Sequence, residues 1–375
     1  MSRLLICLGL LLALGCTKSE KNLEASSTPA TSLRYAKGFT ITPIDNAKLV
    51  EVLYPYQGAT TGFKYLLVEK GQPVPTHDAD TKVITTPINS IVCTSTTHIP
   101  LLDYLEESEK LVGFPSLDYI SSEKTRKRID AGQVKELGVD DGMNVELIAV
   151  LKPDLVMGYT MSAEYGQFRK IEELGVPVVI NAEYLEEHPL GRAEWIKFMA
   201  LFFNKEEEAE KVFKMIEENY LNTKALADQT TKKPTVLSGV VYGDTWFLPG
   251  GKNYAAKLLT DAGCQYLWSR DSSNGFLQLS FESVYEKAHA ADLWIGVASF
   301  TSLEELSNAD QRYTKFGPYI NRQVYTYNAR KGAKGGSEFL ELGYLRPDII
   351  LKDLVKIAHP ELLPEYSLYF HKKLQ

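Results

Sequence analysis

The sequence predicts an α/β protein of two lobes, each built on a parallel sheet, joined by a single long α-helix and preceded by a small β addition. Three observations point there. A helix–strand unit occurs twice, first as Asn144-Val145-Glu146-Leu147-Ile148 followed by Leu151-Lys152-Pro153-Asp154-Leu155-Val156. It returns as Ser280-Phe281-Glu282-Ser283-Val284 followed by Ala290-Ala291-Asp292-Leu293-Trp294-Ile295. Short apolar strand candidates alternate with amphipathic helices on both sides of residue 200, the pattern of parallel sheets covered by helices. Between the halves lies one long helical territory, and 375 residues exceed what a single core ordinarily holds.

At the N-terminus, Arg3 precedes an apolar stretch from Leu4 to Leu14, too short for a span of about 20 residues. Gly15-Cys16 follows, and that ending is similar to the lipobox of bacterial lipoproteins. The resemblance implies a signal peptide over residues 1–15 and acylation of Cys16. Residues 16–33 carry no periodic apolar face and are expected to form a flexible tether reaching about 20 Å. Of the other cysteines, Cys93 and Cys264 fall in different lobes and are expected as buried free thiols.

The first lobe is assigned to residues 34–204. Alternating runs Phe39–Ile44 and Phe63–Val68 predict the small antiparallel addition. Ser90–Cys93, Leu111–Phe114, Leu155–Gly158 and Pro177–Ile180 are its strand candidates, with helices near Pro100–Glu107 and Ala163–Leu174. Gly191–Phe203 is expected as one amphipathic helix. The linker, residues 205–229, places Ala209, Val212, Phe213, Ile216, Tyr220 and Leu221 at helical spacing. At about 1.5 Å per residue it reaches about 36 Å, with no Gly- or Ser-rich hinge. The second lobe, residues 230–375, has strand candidates Thr235–Val241, Asp292–Val297 and Gln323–Tyr327. Helices are expected over Asn253–Leu259 and over Arg346–Ala358, the latter with Pro347 at its first position and Asp348 in its first turn.

Ligands of open parallel sheets bind beyond the carboxyl ends of the strands. The residues that follow those ends are hydroxyl-rich and aromatic, with cations on one side. Candidate ligand contacts are Thr96, His98, Tyr119, Tyr159, Tyr242, Trp246, Phe276 and Lys331. Lys334, Arg126 and Arg128 would add charge for an anionic ligand. Rigid aromatic walls with few polar anchors suit a large, semi-polar ligand. No Gly-x-Ser-x-Gly elbow, Walker loop or His-Glu-x-x-His occurs, so no catalytic residue is assigned. The six histidines sit in separate contexts, which disfavours a bare metal site. The net charge of −7, without a basic stripe, argues against nucleic acid. Glu146 and Glu282 each fall in a first helical turn, where the helix dipole already favours an acid. That explains either one; it leaves their equivalent placement in both lobes as the reason to read them as paired handles.

The order Ser90-Ile91-Val92-Cys93, Leu111-Val112-Gly113, Asn144 to Val156, Gly250-Gly251, Ala262-Gly263, Ser280 to Ile295 and Arg346-Pro347-Asp348 resembles substrate-binding proteins of ABC importers, of the iron-complex and vitamin B12 class. The resemblance covers residues 88–360. It implies two Rossmann-like lobes, a rigid connecting helix, and docking of Glu146 and Glu282 on basic residues of a membrane permease. It also implies that Tyr159, Trp246 and Phe276 occupy positions of ligand-facing aromatics. The expected ligand is a bound metal complex, a ferric siderophore first, then cobalamin or haem, with no covalent cofactor. Gly138-Val139-Asp140-Asp141 lacks the Tyr that ligates iron in several haem-binding relatives. The expected protein is a monomer, extracytoplasmic and lipid-anchored. A two-lobed metal-chelate enzyme is the competing class, disfavoured by the absence of clustered Cys ligands or a paired carboxylate and base.

Overall fold

The computed structural model describes residues 32–375 except 140, 141 and 164. The signal peptide, Cys16 and most of the tether lie outside the described residues. A four-stranded sheet comes first, formed by β1 (Phe39–Ile44), β2 (Ala47–Val52), β3 (Phe63–Glu69) and β4 (Lys82–Thr86) in that order. Its first three strands are antiparallel, whereas β4 joins β3 in parallel. Alternation in Phe39–Ile44 and Phe63–Val68 marked two of these strands. The other two carry more Lys, Glu and Thr and gave a weaker signal.

The N-terminal lobe is a parallel sheet of β5 (Ile91–Cys93), β6 (Leu111–Phe114), β7 (Lys135–Glu136), β8 (Leu155–Gly158) and β9 (Val178–Ile180), in the spatial order β7-β6-β5-β8-β9. Strands β5, β8 and β9 are buried along their length, as a sheet covered on both faces requires. Helices α1 (His98–Tyr104), α2 (Glu123–Asp130), α3 (Val145–Leu151) and α4 (Gly166–Glu173) accompany it. The chain builds outward from β5 to β7, then returns to β8, so strand order reverses between β5 and β8. That reversal opens a crevice at their carboxyl ends.

The expected single helix over Gly191–Phe203 is two pieces, α5 (Pro189–Glu194) and α6 (Ile196–Ala200), meeting at Trp195. The local reason is visible in Glu194 and Trp195, whose side chains serve other partners. Glu194 accepts the backbone N–H groups of Arg34, Tyr35 and Ala36 at 2.8–3.0 Å. Glu186 likewise accepts Lys37 N–H, Gly38 N–H and the Trp195 indole N–H. Two buried carboxylates thus strap residues 34–38 across this junction. The connecting helix α7 (Glu206–Asp228) follows, about 34 Å long. It buries Ala209, Phe213, Ile216, Tyr220 and Ala227 along one face. Tyr35 Oη donates to Glu217 of α7 at 2.8 Å, and Arg34 pairs with the same carboxylate at 2.7 Å.

The C-terminal lobe splits its strands between two sheets. β10 (Thr235–Ser238), β13 (Gln265–Tyr266), β15 (Leu293–Ile295), β16 (Val324–Thr326) and β17 (Lys372–Lys373) form one, in the order β13-β10-β15-β16-β17. It is parallel except for the last pair. β11 (Val240–Tyr242), β12 (Thr245–Pro249) and β14 (Phe276–Leu279) form an antiparallel flap. The apolar run Thr235–Val241 predicts one strand. Gly239 breaks it, with φ of +77° and the Phe247 carbonyl where a Cβ would stand. Helices α8 (Tyr254–Asp261), α9 (Phe281–Ala288), α10 (Leu303–Ala309), α11 (Gly317–Ile320), α12 (Glu338–Leu342) and α13 (Pro347–Ala358) complete the lobe. Cys93 and Cys264 are buried free thiols. No helix among the described residues is long and apolar enough to cross a membrane.

Candidate functional site in the inter-lobe cleft

The lobes meet along one side of the cleft through buried polar contacts. Glu341 of α12 accepts the backbone N–H groups of Ser121 and Ser122, at 2.5 and 2.8 Å, beside the start of α2. Gly332 and Gly336 let the loop after β16 press against Ser121 and Tyr119, where a Cβ would collide with backbone. Arg346 donates to Tyr104 Oη at 2.6 Å. Elsewhere, the Arg192 guanidinium from α5 lies 4.0 and 4.4 Å from the ring centroids of Tyr254 and Tyr344 in the other lobe.

Around this framework stand aromatic groups that the fold leaves uncovered. Tyr242 is 81% exposed, Phe276 66% and Tyr119 65%, too much bare ring for side chains that merely complete a core. Tyr242 ends β11 and Phe276 begins β14, so both belong to the flap, while Tyr119 follows β6. Tyr159 and Thr96 are half-buried after β8 and β5, and Lys331 is exposed after β16. The topology therefore puts Thr96, Tyr119, Tyr159, Tyr242, Phe276 and Lys331 on loops and strand edges, where they remain candidate contacts for a ligand in the cleft.

Two candidates do not reach it. Trp246 is fully buried because alternation along β12 turns it and Leu248 inward. Its indole N–H donates to Ser238 O at 3.0 Å, and its rings pack against Trp294, Tyr313 and Phe316. It is a core residue. His98 opens α1 with no exposed surface and, among the described residues, no partner on either ring nitrogen. Burial drops its pKa to about 3, so the ring is neutral and inward-facing. Two of the cations expected to favour an anionic ligand are also committed. Arg126 donates to the carbonyls of Leu117 and Ile120, and Arg128 to those of Glu109 and Leu111. No group of three or more His, Cys, Asp or Glu side chains among the described residues is arranged to hold a metal ion.

The polar floor was missed by sequence reasoning. Ser95 Oγ lies 2.8 Å from Thr97 Oγ1, which in turn donates to Glu183 beyond β9. Glu183 is buried, and burial pushes its carboxyl pKa up against the opposing hydrogen bond from Thr97. The hydroxyl run after Cys93 was visible in the sequence. Its buried carboxylate partner, 86 residues away, was not.

Glu146 and Glu282 occupy equivalent places. Asn144 Oδ1 caps α3 by accepting Leu147 N–H at 2.8 Å, and Ser280 Oγ caps α9 by accepting Ser283 N–H at 3.2 Å. Each glutamate sits in the first turn and is exposed. Arg312 approaches Glu282 at 4.0 Å but is bound to Asp310 at 2.7 Å. A groove of about 810 Å³ lies elsewhere, beside β13, lined by Lys233, Trp268, Arg270 and Lys287 among others. It is not between the lobes, and strand topology is the better guide to the ligand site here.

Residues 91–330 match the periplasmic binding protein family. The chain belongs to that family. The match spans both sheets, α7 and the flap, which makes this a solute-binding protein rather than an enzyme. An uncharacterized lipoprotein of Methanocaldococcus jannaschii is 28% identical, over 95% of this chain and 87% of its own length. Among solved structures, an ABC transporter substrate-binding protein from Listeria monocytogenes superposes with a TM-score of 0.55 at 22% identity, covering 73% of this chain and all of that one. Helicobacter pylori CeuE with Ni(II) bound superposes with a TM-score of 0.58 at 17% identity, covering 79% of this chain and 92% of its own. At these identities the structural likeness supports the fold. The residues of the cleft are this chain's own.

Proposed function

We propose that this protein is a lipid-anchored, extracytoplasmic binding protein that captures an iron complex, a ferric siderophore first among the candidates, and delivers it to an ABC permease. The observation that carries the delivery is the pair of exposed glutamates, Glu146 and Glu282, each in the first turn of a side-chain-capped helix in its own lobe. A connecting helix without a Gly- or Ser-rich interruption holds such handles at a set separation. The cargo reading draws on the exposed Tyr119, Tyr242 and Phe276 and on the nickel carried by a structural relative. Among the alternatives, cobalamin loses one supporting aromatic because Trp246 is in the core. Residues 1–15 would be removed as a signal, and residues 16–33 would tether the acylated Cys16 to the strapped segment at residues 34–38. The test is the double variant Glu146→Ala, Glu282→Ala. Cargo affinity is expected to stay unchanged while cellular uptake is lost. Undiminished uptake would remove the permease from the account.

A further inference from the structure

The crevice between β5 and β8 is floored by a hydrogen-bond chain with a definite direction. Thr97 has one hydroxyl proton, and it goes to Glu183. Ser95 Oγ, 2.8 Å from Thr97 Oγ1, then supplies the proton of that contact while accepting Thr97 N–H at 3.3 Å. Ser95 and Thr97 are half-buried residues on the loop that follows β5, whereas Glu183 is buried. With both protons spent inward, the outward face of Ser95 and Thr97 consists of lone pairs.

The carboxylate beneath is held in place and makes no ion pair among the described residues. Glu183 N–H donates to Asn181 Oδ1 at 3.1 Å, which fixes the turn after β9. The second Glu183 oxygen and the Asn181 amide nitrogen, both buried, meet no hydrogen-bond partner among the described residues. Arg192 is the nearby positive group, but its guanidinium is committed elsewhere. It donates to the carbonyls of Tyr184 and Glu186 and lies against Tyr254 and Tyr344. An acceptor-only surface, at the place where strand order reverses, favours a ligand group that brings a proton to share.

We propose that the Ser95–Thr97–Glu183 chain is a specificity element that selects cargo presenting a charged hydrogen-bond donor (an ammonium) over a neutral one at the β5–β8 end of the cleft. Ser95 and Thr97 touch the cargo. Glu183 is a positioning residue that acts through Thr97 by setting which way the hydroxyl protons point. The inference rests on the iron-complex reading above and narrows it, because it distinguishes complexes of the same metal and denticity by one peripheral group.

The test uses two probes, the ferric complex of a linear trihydroxamate ending in a free ammonium and the same complex N-acetylated at that end. Both are titrated against the full chain by quenching of tryptophan fluorescence. The ammonium complex is expected to bind about tenfold tighter or more, the scale of one charge-assisted hydrogen bond. Thr97→Val and Ser95→Ala should each bring the ratio of affinities close to one, and Thr97→Val should also lower the melting temperature, because it removes the hydroxyl that donates to the buried Glu183. Glu183→Gln should lower the ratio although its side chain touches no cargo atom; a merely structural role for Glu183 would leave the ratio where it was. Equal affinities in the unsubstituted protein, tighter binding of the acetylated complex, or a ratio that survives Thr97→Val would overturn the inference. Failure of both complexes to bind is a different result, and it would overturn the iron-complex reading itself.

Discussion

Glu341 offers a prediction whose sign changes with pH. Its carboxylate is buried between the lobes, and burial raises its pKa to about 7 despite the amides of Ser121 and Ser122. In the unfolded chain the same group titrates near the ordinary glutamate value of 4.5. A group with a raised folded pKa stabilises the fold fully below the unfolded value, and that stability is lost as pH rises through the folded one. Between pH 5 and pH 8 the loss from Glu341 is about 2–3 kcal/mol, taking about 1.4 kcal/mol per pH unit. Gln in its place carries no charge at any pH and can still offer one carbonyl oxygen to the two amides. Glu341→Gln should therefore be destabilising by about 1 kcal/mol at pH 5, the cost of one poorly met amide. At pH 8 it should be neutral or stabilising. Parallel urea titrations of both proteins at the two pH values, each compared with its partner at the same pH, read this difference directly. A pH-independent difference, or a variant that loses ground as pH rises, would refute the account of the buried inter-lobe carboxylate.

Two further outcomes follow from buried polar groups. Asp353 accepts Tyr366 Oη, the N–H groups of Tyr369, Phe370 and His371, and the His371 ring at 2.7–3.0 Å. Burial raises its pKa, but the His371 partner and the amides outweigh it and hold the group below the usual carboxylate range. Asp353→Asn should cost about 3–5 kcal/mol at pH 7, with the deficit narrowing as pH falls through about 4, because a depressed folded pKa stabilises only above the unfolded value. Thermal melts at pH 7 and about pH 3, below the unfolded carboxylate value, check it. His98→Leu removes two unpartnered ring nitrogens from the core and should raise stability by about 1–3 kcal/mol, leaving the affinity for a ferric trihydroxamate unchanged. Weakened binding would return His98 to the ligand site.

The architecture was legible in the sequence for physical reasons. Buried parallel strands such as Leu155–Gly158 must be apolar throughout, and the cap residues Asn144 and Ser280 announce their helices within a few residues. What failed was local reading of non-local demands. Gly191–Phe203 looks like one helix until Glu194 and Glu186 are seen gripping residues 34–38. Trp246 was expected in the cleft because it follows the strand run, yet the turn at Gly243 and the pairing of β11 with β12 reverse the chain and send its ring inward. His98 follows β5 closely, where a ligand contact is natural, but it already belongs to α1 and faces the core. The Thr97–Glu183 contact joins residues 86 positions apart, and nothing in either stretch specifies the other.

Native mass spectrometry of the full chain purified from its source tests the cargo claim most directly. One iron complex per chain is expected, released on unfolding in acid and sensitive to replacement of Tyr242 and Phe276 by Ala. A chain that carries no metal complex from an iron-replete source, and takes up none when ferric trihydroxamate is supplied, would contradict the account.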